Sequence, residues 1–592
     1  MKKFLIGVCA GIAGAVLIVV IGAAFFLGLV GSIGTEAPVK VYATVPAIAS
    51  NASLAEHTKI FEKRIEQPLP GVHVAMGYGL ANVILIEAPD GLIMVDTLES
   101  VAAAQSLLPY VNQLRNTTGK DITDIIFTHN HADHVFGAGV YLTGQATVPR
   151  VWAHEDTEYR VHQVVNVLRP ILFKRSMRQF GVFLPEDAFE NAGIGPFIAF
   201  NETSSMHFLP PTDTVSDSLT VTLAGEEVVF THAPGETDDQ LMIFLPKRKM
   251  LLPADNYYHA FPNLYAIRGT PYRNLLDWVG SLDMMLTFNA ETMVPQHSMP
   301  VIGSAAIQKQ LTDYRDAITF VHDQTIRMVN KGYTPDEIVE IVKLPPHLAN
   351  APYLQEFYGK VEWAVRSVFS GTLGWFSGDP ADLIPVSPTR EAELMLRLAG
   401  SKEALRTEYN QAMVEGEPTW ALSLATHMQR LNIDGAGALR ANSLRALGAN
   451  EISSTGRNYF LTMAAEAEGW QMPISNLNDT PLEMFDDVPI NNFMRSLLVT
   501  LKAEEVLNVE LSYGFNFTDL DTPLTVRIRR GIAVLEPGLA EDRQGTLVAT
   551  TGTFKRISVK KLQPGVAIAS GDLSFEGGPL IFNNFMAHFD TP

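Results

Sequence analysis

The sequence predicts a layered α/β domain, then a helical region, then a small α+β domain. Three observations carry this. Short β-branched runs alternate with turns and a helix between residues 72 and 127, helical periodicity takes over after residue 305, and strand-like alternation returns within residues 471–592. The chain has 592 residues, about four times a typical domain of ~150 residues, so several domains are expected.

In chain order, Lys2 and Lys3 precede an uncharged, mostly apolar run from Phe4 to Val30. At about 1.5 Å per residue this run exceeds the ~30 Å hydrocarbon thickness of a bilayer. Residues 1–34 therefore read as a membrane anchor with its lysines in the cytoplasm, or as a cleaved signal. The expected location is the periplasmic side of the inner membrane, or the periplasm and beyond after cleavage. Residues 35–69 read as a polar tether. Asn82–Glu87 and Leu92–Asp96 flank Pro89-Asp90-Gly91 as a hairpin. Ser100 is placed to cap a helix running through Leu107, Val111 and Leu114. An apolar strand, Ile122–Phe127, ends at a histidine-rich loop, and this first unit extends over residues 70–305.

Leu311, Tyr314, Ile318, Val321 and Met328 share one helical face, and further helices follow, including Glu391–Leu398 and Trp420–Leu431, giving a helical domain at 306–470. Alternation in Leu524–Arg529 and Ile532–Val534 marks the terminal domain, 471–592.

Composition narrows the function. A net charge of −20 argues against a nucleic-acid partner and against electrostatic docking on anionic lipid. The single cysteine, Cys9, excludes an intramolecular disulfide and a cysteine-based zinc site. The 15 histidines are then the place to look for chemistry. His129-Asn130-His131-Ala132-Asp133-His134, in a loop after a strand, lets three imidazoles and a carboxylate converge on adjacent metal positions, and these donors suit zinc.

This H-x-H-x-D-H motif resembles that of the metallo-β-lactamase superfamily, a likeness extending over residues 70–305 and implying an αβ/βα sandwich. The resemblance implies further ligands downstream: Glu236 after Ala233-Pro234-Gly235, Asp255 ending Leu251–Asp255, and His297 ending Val294–His297. By resemblance His129, His131 and Glu236 hold one zinc, Asp133, His134 and His297 the other, and Asp255 lies between. Many superfamily members carry histidine where this chain has Glu236. The glutamate makes the shell one unit less positive, so charge for an anionic substrate has to come from arginines outside it.

Glu236, with the helical and terminal domains, is similar to the alkyl sulfatases of the superfamily, the linear primary-alkyl sulfatases that act on dodecyl sulfate. Asn263–Gly269 with Arg273 looks like their sulfate-binding stretch, Tyr314-Arg315-Asp316 like a motif of the first dimerisation helix, and Tyr353–Gly359 and Leu373–Pro380 like parts of the helical domain. The chain departs from better-known detergent sulfatases at Gly235-Glu236-Thr237, at Asp255 in place of glutamate, and at Ser298-Met299-Pro300.

The resemblance implies two zinc ions per chain, a homodimer, a sterol-carrier-like terminal domain, and hydrolysis of alkyl sulfates or other amphiphilic anions by a zinc-bound hydroxide. Arg268 and Arg273 suit bidentate bonds to sulfate. Asn263, Tyr265 and Arg315 complete the expected substrate-binding set, and His259 is the proposed proton donor, with His347 a further candidate. His154, His162 and His207 read as structural, and His232 as support for the Pro-Gly-Glu turn. The rival readings are another two-zinc hydrolase (phosphodiesterase, lactonase or esterase) and a non-catalytic lipid-binding protein.

Overall fold

The computed structural model describes Ala43 and residues 51–163, 168–200, 204–473 and 488–590. The chain divides into two compact units, one of residues 40–161 and 171–474, and a second that includes residues 475–592.

The first unit is built on two sheets. Sheet one runs β1 (Arg64–Leu69), β2 (Val72–Met76), β3 (Val83–Glu87), β4 (Leu92–Val95), β5 (Ile122–Ile126), β6 (Arg150–His154) and β7 (Asp213–Val215) in spatial order, antiparallel through β4 and parallel thereafter. Sheet two places β8 (Ser218–Leu223), β9 (Glu226–His232), β10 (Leu241–Leu245), β11 (Met250–Leu252), β12 (Thr292–Met293) and β13 (Val301–Ile302) side by side. The register pairs Val74 with Ile84 and Ile84 with Val95, so these side chains share a face. That face packs against Val228, Phe230, Leu241, Ile243 and Leu245 of sheet two to form the central core.

Strand β10 explains its own composition. Leu241, Ile243 and Leu245 point into the sandwich, while Met242 and Phe244 meet the layer of α2 (Leu275–Leu286) and α3 (Ser304–Val329) on the other side. A strand covered on both faces has no place for a polar residue, hence its uninterrupted apolar run. Across sheet one lies α1 (Val101–Thr118), capped by Ser100, whose Oγ accepts from Ala103 N–H at 3.2 Å, and ended by Gly119 at φ +67°. Tyr110 of this helix contacts His73 Nδ1 at 2.8 Å.

Ile307, Leu311, Tyr314, Ile318 and Val321 of α3 share a core with Leu251, Trp278 and Val365 of α4 (Val361–Leu373), so the helical region and the sandwich are one packed unit. Beyond it, α5 (Pro388–Ala399), α6 (Lys402–Glu415), α7 (Pro418–Arg430), α8 (Ala436–Asn450) and α9 (Ser454–Ala467) follow through short connections. The terminal unit carries a five-stranded sheet, ordered β16 (Ile532–Pro537), β15 (Leu524–Arg529), β14 (Glu510–Phe517), β17 (Thr546–Ala549), β18 (Leu573–Glu576), over an aromatic core of Tyr513, Phe515, Phe517, Phe554 and Phe585.

Two expectations are corrected. The anchored, periplasmic location does not stand: among the described residues no helix is long and apolar enough to cross a membrane, and the Phe4–Val30 run lies outside them. Nor is the stretch up to residue 69 wholly a tether. It contains a helix, Ala52–Thr58, capped by Asn51, and β1, which pairs with β2 through a bulge. β1 is a partly buried edge strand containing Pro68, so it lacks the apolar alternation that marks interior strands.

His57 of that helix is buried between Phe61 and Phe357, stacked on the latter at 4.0 Å. Burial, reinforced by His259, pushes its pKa down to about 3. A folded-state pKa below the unfolded value means the contribution is complete above about pH 6.5 and is lost as pH falls toward 3, with a slope of up to about 1.4 kcal/mol per pH unit. Replacement His57→Phe is expected to flatten this acid-side loss, measured as urea stability from pH 7 to pH 4.

Candidate metal centre

His129 lies just past the end of β5, where the chain leaves sheet one, and His131 precedes a single helical turn, Ala132–Val135, that carries Asp133 and His134. Asp255 follows β11 and His297 follows β12, both on sheet two. The sandwich thus brings together side chains 297 − 129 = 168 positions apart. His129 Nε2 lies 3.0 Å from His131 Nδ1. Asp133 Oδ2 is 3.4 Å from both His134 Nε2 and His297 Nε2. Asp255 Oδ2 sits 3.2 Å from His297, 3.6 Å from His134 and 3.7 Å from His129, reaching both groups. His129, His131 and Asp255 form one set of donors mutually within 4.8 Å, and Asp133, His134 and His297 another.

These separations fit metal. Tetrahedral zinc with bonds of ~2.0–2.1 Å spaces its donors about 3.3 Å apart. The buried atoms His134 Nε2, His297 Nε2, Asp255 Oδ1 and Glu236 Oε2 have no hydrogen-bond partner among the described residues, which a buried polar atom tolerates poorly unless something else is to bind it.

The outer faces of two of the imidazoles are held. His134 Nδ1–H donates to Asp96 Oδ2 at 2.8 Å, and Asp96 also accepts from Thr128 N–H and Oγ1–H, each at 2.9 Å. His297 Nδ1–H donates to the Leu80 carbonyl at 3.0 Å. Leu80 N–H in turn reaches both oxygens of buried Glu99 at 3.3 Å, and Ala199 N–H donates to the same carboxylate. Each bond leaves the opposite ring nitrogen free for a cation. Asp96 and Glu99 are functional residues that sequence reasoning did not single out. The available signal for the first was an acidic residue ending strand β4 beside the site, at φ +59°.

Electrostatics divides the cluster. Burial and neighbouring His134 push His129 down to about 3, and burial with His129 and Arg268 holds His131 well below the histidine range. Both are therefore in the neutral form that metals need. Burial would lower His134 too, but the carboxylates of Asp133, Asp96 and Asp255 outweigh it and raise it well above its ordinary value.

Glu236 stands beside the two sets rather than within either. Its Oε1 pairs with Arg273 Nη1 at 2.9 Å, both side chains being buried. The preceding Gly235 is required: a Cβ there would come within 2.0 Å of Asn256 Oδ1 and 2.9 Å of the Trp278 ring. Arg268 Nη2–H donates to His131 Nε2 at 3.2 Å. Arg273 also donates to the carbonyl of buried Asn263, whose own N–H donates to Tyr258 Oη at 2.7 Å. Tyr265 is half-buried on the same loop.

Arg315 is not brought to this site. It pairs with Asp283 at 2.9 Å and Asp316 at 2.7 Å, so its expected role in substrate binding finds no support. His259, lowered by burial, is neutral at pH 7, and its ring lies edge-on to Tyr353 at 6.3 Å. His232 behaves as expected, Nε2–H donating across the turn to the Asp238 carbonyl at 2.6 Å.

Residues 76–297 match the family model of the metallo-β-lactamase superfamily. Facing mixed sheets that deliver a buried His/Asp cluster define a member of that superfamily, a fold that implies a bound metal, typically zinc. Residues 334–469 match alkyl sulfatase dimerisation, and 478–592 the alkyl sulfatase C-terminal model. A linear primary-alkylsulfatase of Pseudomonas sp. (strain ATCC 19151) is 37% identical over 477 residues, covering 77% of this chain and 88% of the relative. An (R)-specific secondary-alkylsulfatase of Pseudomonas sp. is 26% identical over 559 residues, 92% of this chain and 83% of that protein. The solved structure of the stereoselective inverting sec-alkylsulfatase Pisa1 from Pseudomonas sp. shares the fold, with a TM-score of 0.83 at 24% identity over 94% of this chain and 93% of that one. This chain belongs to the alkyl sulfatase family of the metallo-β-lactamase superfamily.

Replacing Asp96 by Asn puts an amide nitrogen against a donor and loosens the His134 ring. The expected outcome is a metal affinity about 10–100-fold weaker, measured by competition with a chromophoric chelator.

Proposed function

We propose that this chain hydrolyses alkyl sulfate esters to the alcohol and inorganic sulfate, with two zinc ions held by His129, His131, Asp133, His134, Glu236, Asp255 and His297. The observation that supports this most is the convergence of unpartnered donors from both sheets at spacings suited to zinc, in a chain 37% identical to a linear primary-alkylsulfatase. Zinc in such a site supplies Lewis acidity and makes hydroxide available at neutral pH.

The protein's own groups then have defined tasks. Asp96 and the Leu80 carbonyl keep protons on the outer nitrogens of His134 and His297. Asp255 ties the two donor sets together. Arg268, which is only partly buried, offers its guanidinium to the anionic ester group beside His131. Arg273 answers the charge of Glu236 and draws the Asn263 backbone toward it, so the glutamate's extra negative charge does not repel a sulfate. Asn263 and Tyr265 orient that group. A lactone or lactam would give no use to Arg268, which favours an anionic ester over the lactonase reading.

The alkyl sulfatase dimerisation match at 334–469 supports a homodimer, and a sterol-carrier-like role for the terminal unit in holding alkyl chains belongs to the same proposal.

Sulfate release from dodecyl sulfate by the full chain is the test. Release that is abolished by chelation and restored by zinc is expected, and a zinc-loaded protein that releases none sinks the proposal. Removing one partner of the buried Glu236–Arg273 pair would cost about 3–5 kcal/mol of stability, so the informative arginine substitution is Arg268→Lys. It keeps the charge but loses the planar fork, and is expected to lower kcat/KM for dodecyl sulfate about 10–100-fold, from ~1.5–3 kcal/mol of charged hydrogen bonding.

A further inference from the structure

One helix grips the loop that carries Arg268. Leu172, Arg175 and Gln179 recur at three- and four-residue spacing in the helix Arg169–Gln179, so they share a face. Each meets a different residue of the loop. Leu172 fills the space over Gly269, which sits at φ +109° and where a Cβ would come within 2.9 Å of Leu172 Cδ2. Arg175 Nη2–H donates to the Ile267 carbonyl at 2.6 Å, and Gln179 Oε1 accepts from Arg268 N–H at 2.9 Å. The helix is braced from elsewhere as well: Arg178 Nε–H and Nη2–H donate to the two oxygens of Glu466 in α9, each at 2.9 Å.

Gln179 is the unexpected member of that face. It is fully buried and lies between Met177 and Phe180, both members of an apolar cluster. Because Arg268 N–H can only donate, the amide atom facing it is the oxygen, and Nε2 is left buried with no hydrogen-bond partner among the described residues. The bond gained is therefore set against a donor stranded, and the net value of the amide to the fold is small. What it does that an aliphatic side chain cannot do is fix the peptide of Arg268. The far end of that arginine is held only loosely. Its Nη1–H reaches the Gly269 carbonyl at 3.3 Å and its Nη2–H reaches His131 Nε2 at 3.2 Å, both beyond the ~2.9–3.0 Å usual for N–H donors. Its direction is thus set at the root, and a side chain this long amplifies any turn made there. We propose that Gln179 is a positioning residue for the reaction: by fixing the Arg268 peptide it aims that guanidinium at the anionic group of the ester. The inference rests on the sulfate-ester reading above and adds to it a residue that acts through another.

The test is Gln179→Met in the full-length, zinc-loaded protein, alone and combined with Arg268→Ala, with dodecyl sulfate as substrate and inorganic sulfate as inhibitor. The single variant is expected to keep its zinc, and its thermal midpoint to within about 3 °C. Its KM is expected to rise about 10-fold with kcat changed less, and inhibition by inorganic sulfate to weaken by a similar factor. In the Arg268→Ala background the same substitution is expected to change kcat/KM by less than about 2-fold. Equal losses in the two backgrounds overturn the proposal, because Gln179 would then act without Arg268. An unchanged KM and unchanged sulfate inhibition in the single variant overturn it too, whatever happens to the midpoint. Should Gln179→Met fail to fold, Gln179→Leu is read by the same criteria. A wild type that releases no sulfate overturns the sulfate-ester reading and this proposal together, whereas the other outcomes leave that reading standing.

Discussion

Everything in the catalytic unit answers to one constraint: imidazoles and carboxylates must be held together, out of water, without satisfying one another completely. A buried ion with no partner costs several kcal/mol. A buried donor that is fully satisfied has nothing left for a metal. The structure meets both demands at His134 and His297 by bonding the outer edge of each ring to a second group and leaving the inner edge bare. Asp96 does this for His134 and the Leu80 carbonyl for His297. The sheets, the tight Pro-Gly turn and the close glycine contacts serve to place those second groups.

The glutamate after the Pro-Gly turn is instructive. Considered alone it makes the site less welcoming to an anion. In the structure its charge is met by Arg273 at 2.9 Å, so the protein keeps an acidic group at the metal centre while presenting a positive face through Arg268. The arginine is itself steadied by the backbone of Asn263. A single-residue departure from the commoner histidine thus draws three positions into its compensation.

Much of this was legible in the sequence, for a physical reason. The H-x-H-x-D-H run sits in one loop, so spacing alone brings its side chains together. Strand and helix limits such as Ile122–Ile126, Leu524–Arg529 and the Ser100 cap follow from local periodicity and hydrogen bonding. What escaped was non-local. Asp96 meets His134 across 38 positions and Leu80 meets His297 across 217, and nothing in either neighbourhood announces the other. Arg315 is met by Asp283 from the adjacent helix, a pairing that its own motif does not announce. The edge strand β1 hid because an edge needs little apolar patterning, and the sandwich border near residue 305 is blurred because α3 packs directly onto the sheet it follows.

The distribution of ligands along the chain has a consequence for how the protein is made. Four donors lie within six consecutive residues, 129–134, and emerge from the ribosome together. The carboxylate of Asp255 and the ring of His297 arrive far later, after strands β8–β11 and β8–β12 respectively, and long-range closure of this kind is slow. A complete set of donors therefore exists only in the closed sandwich, once residues carried by both sheets have met.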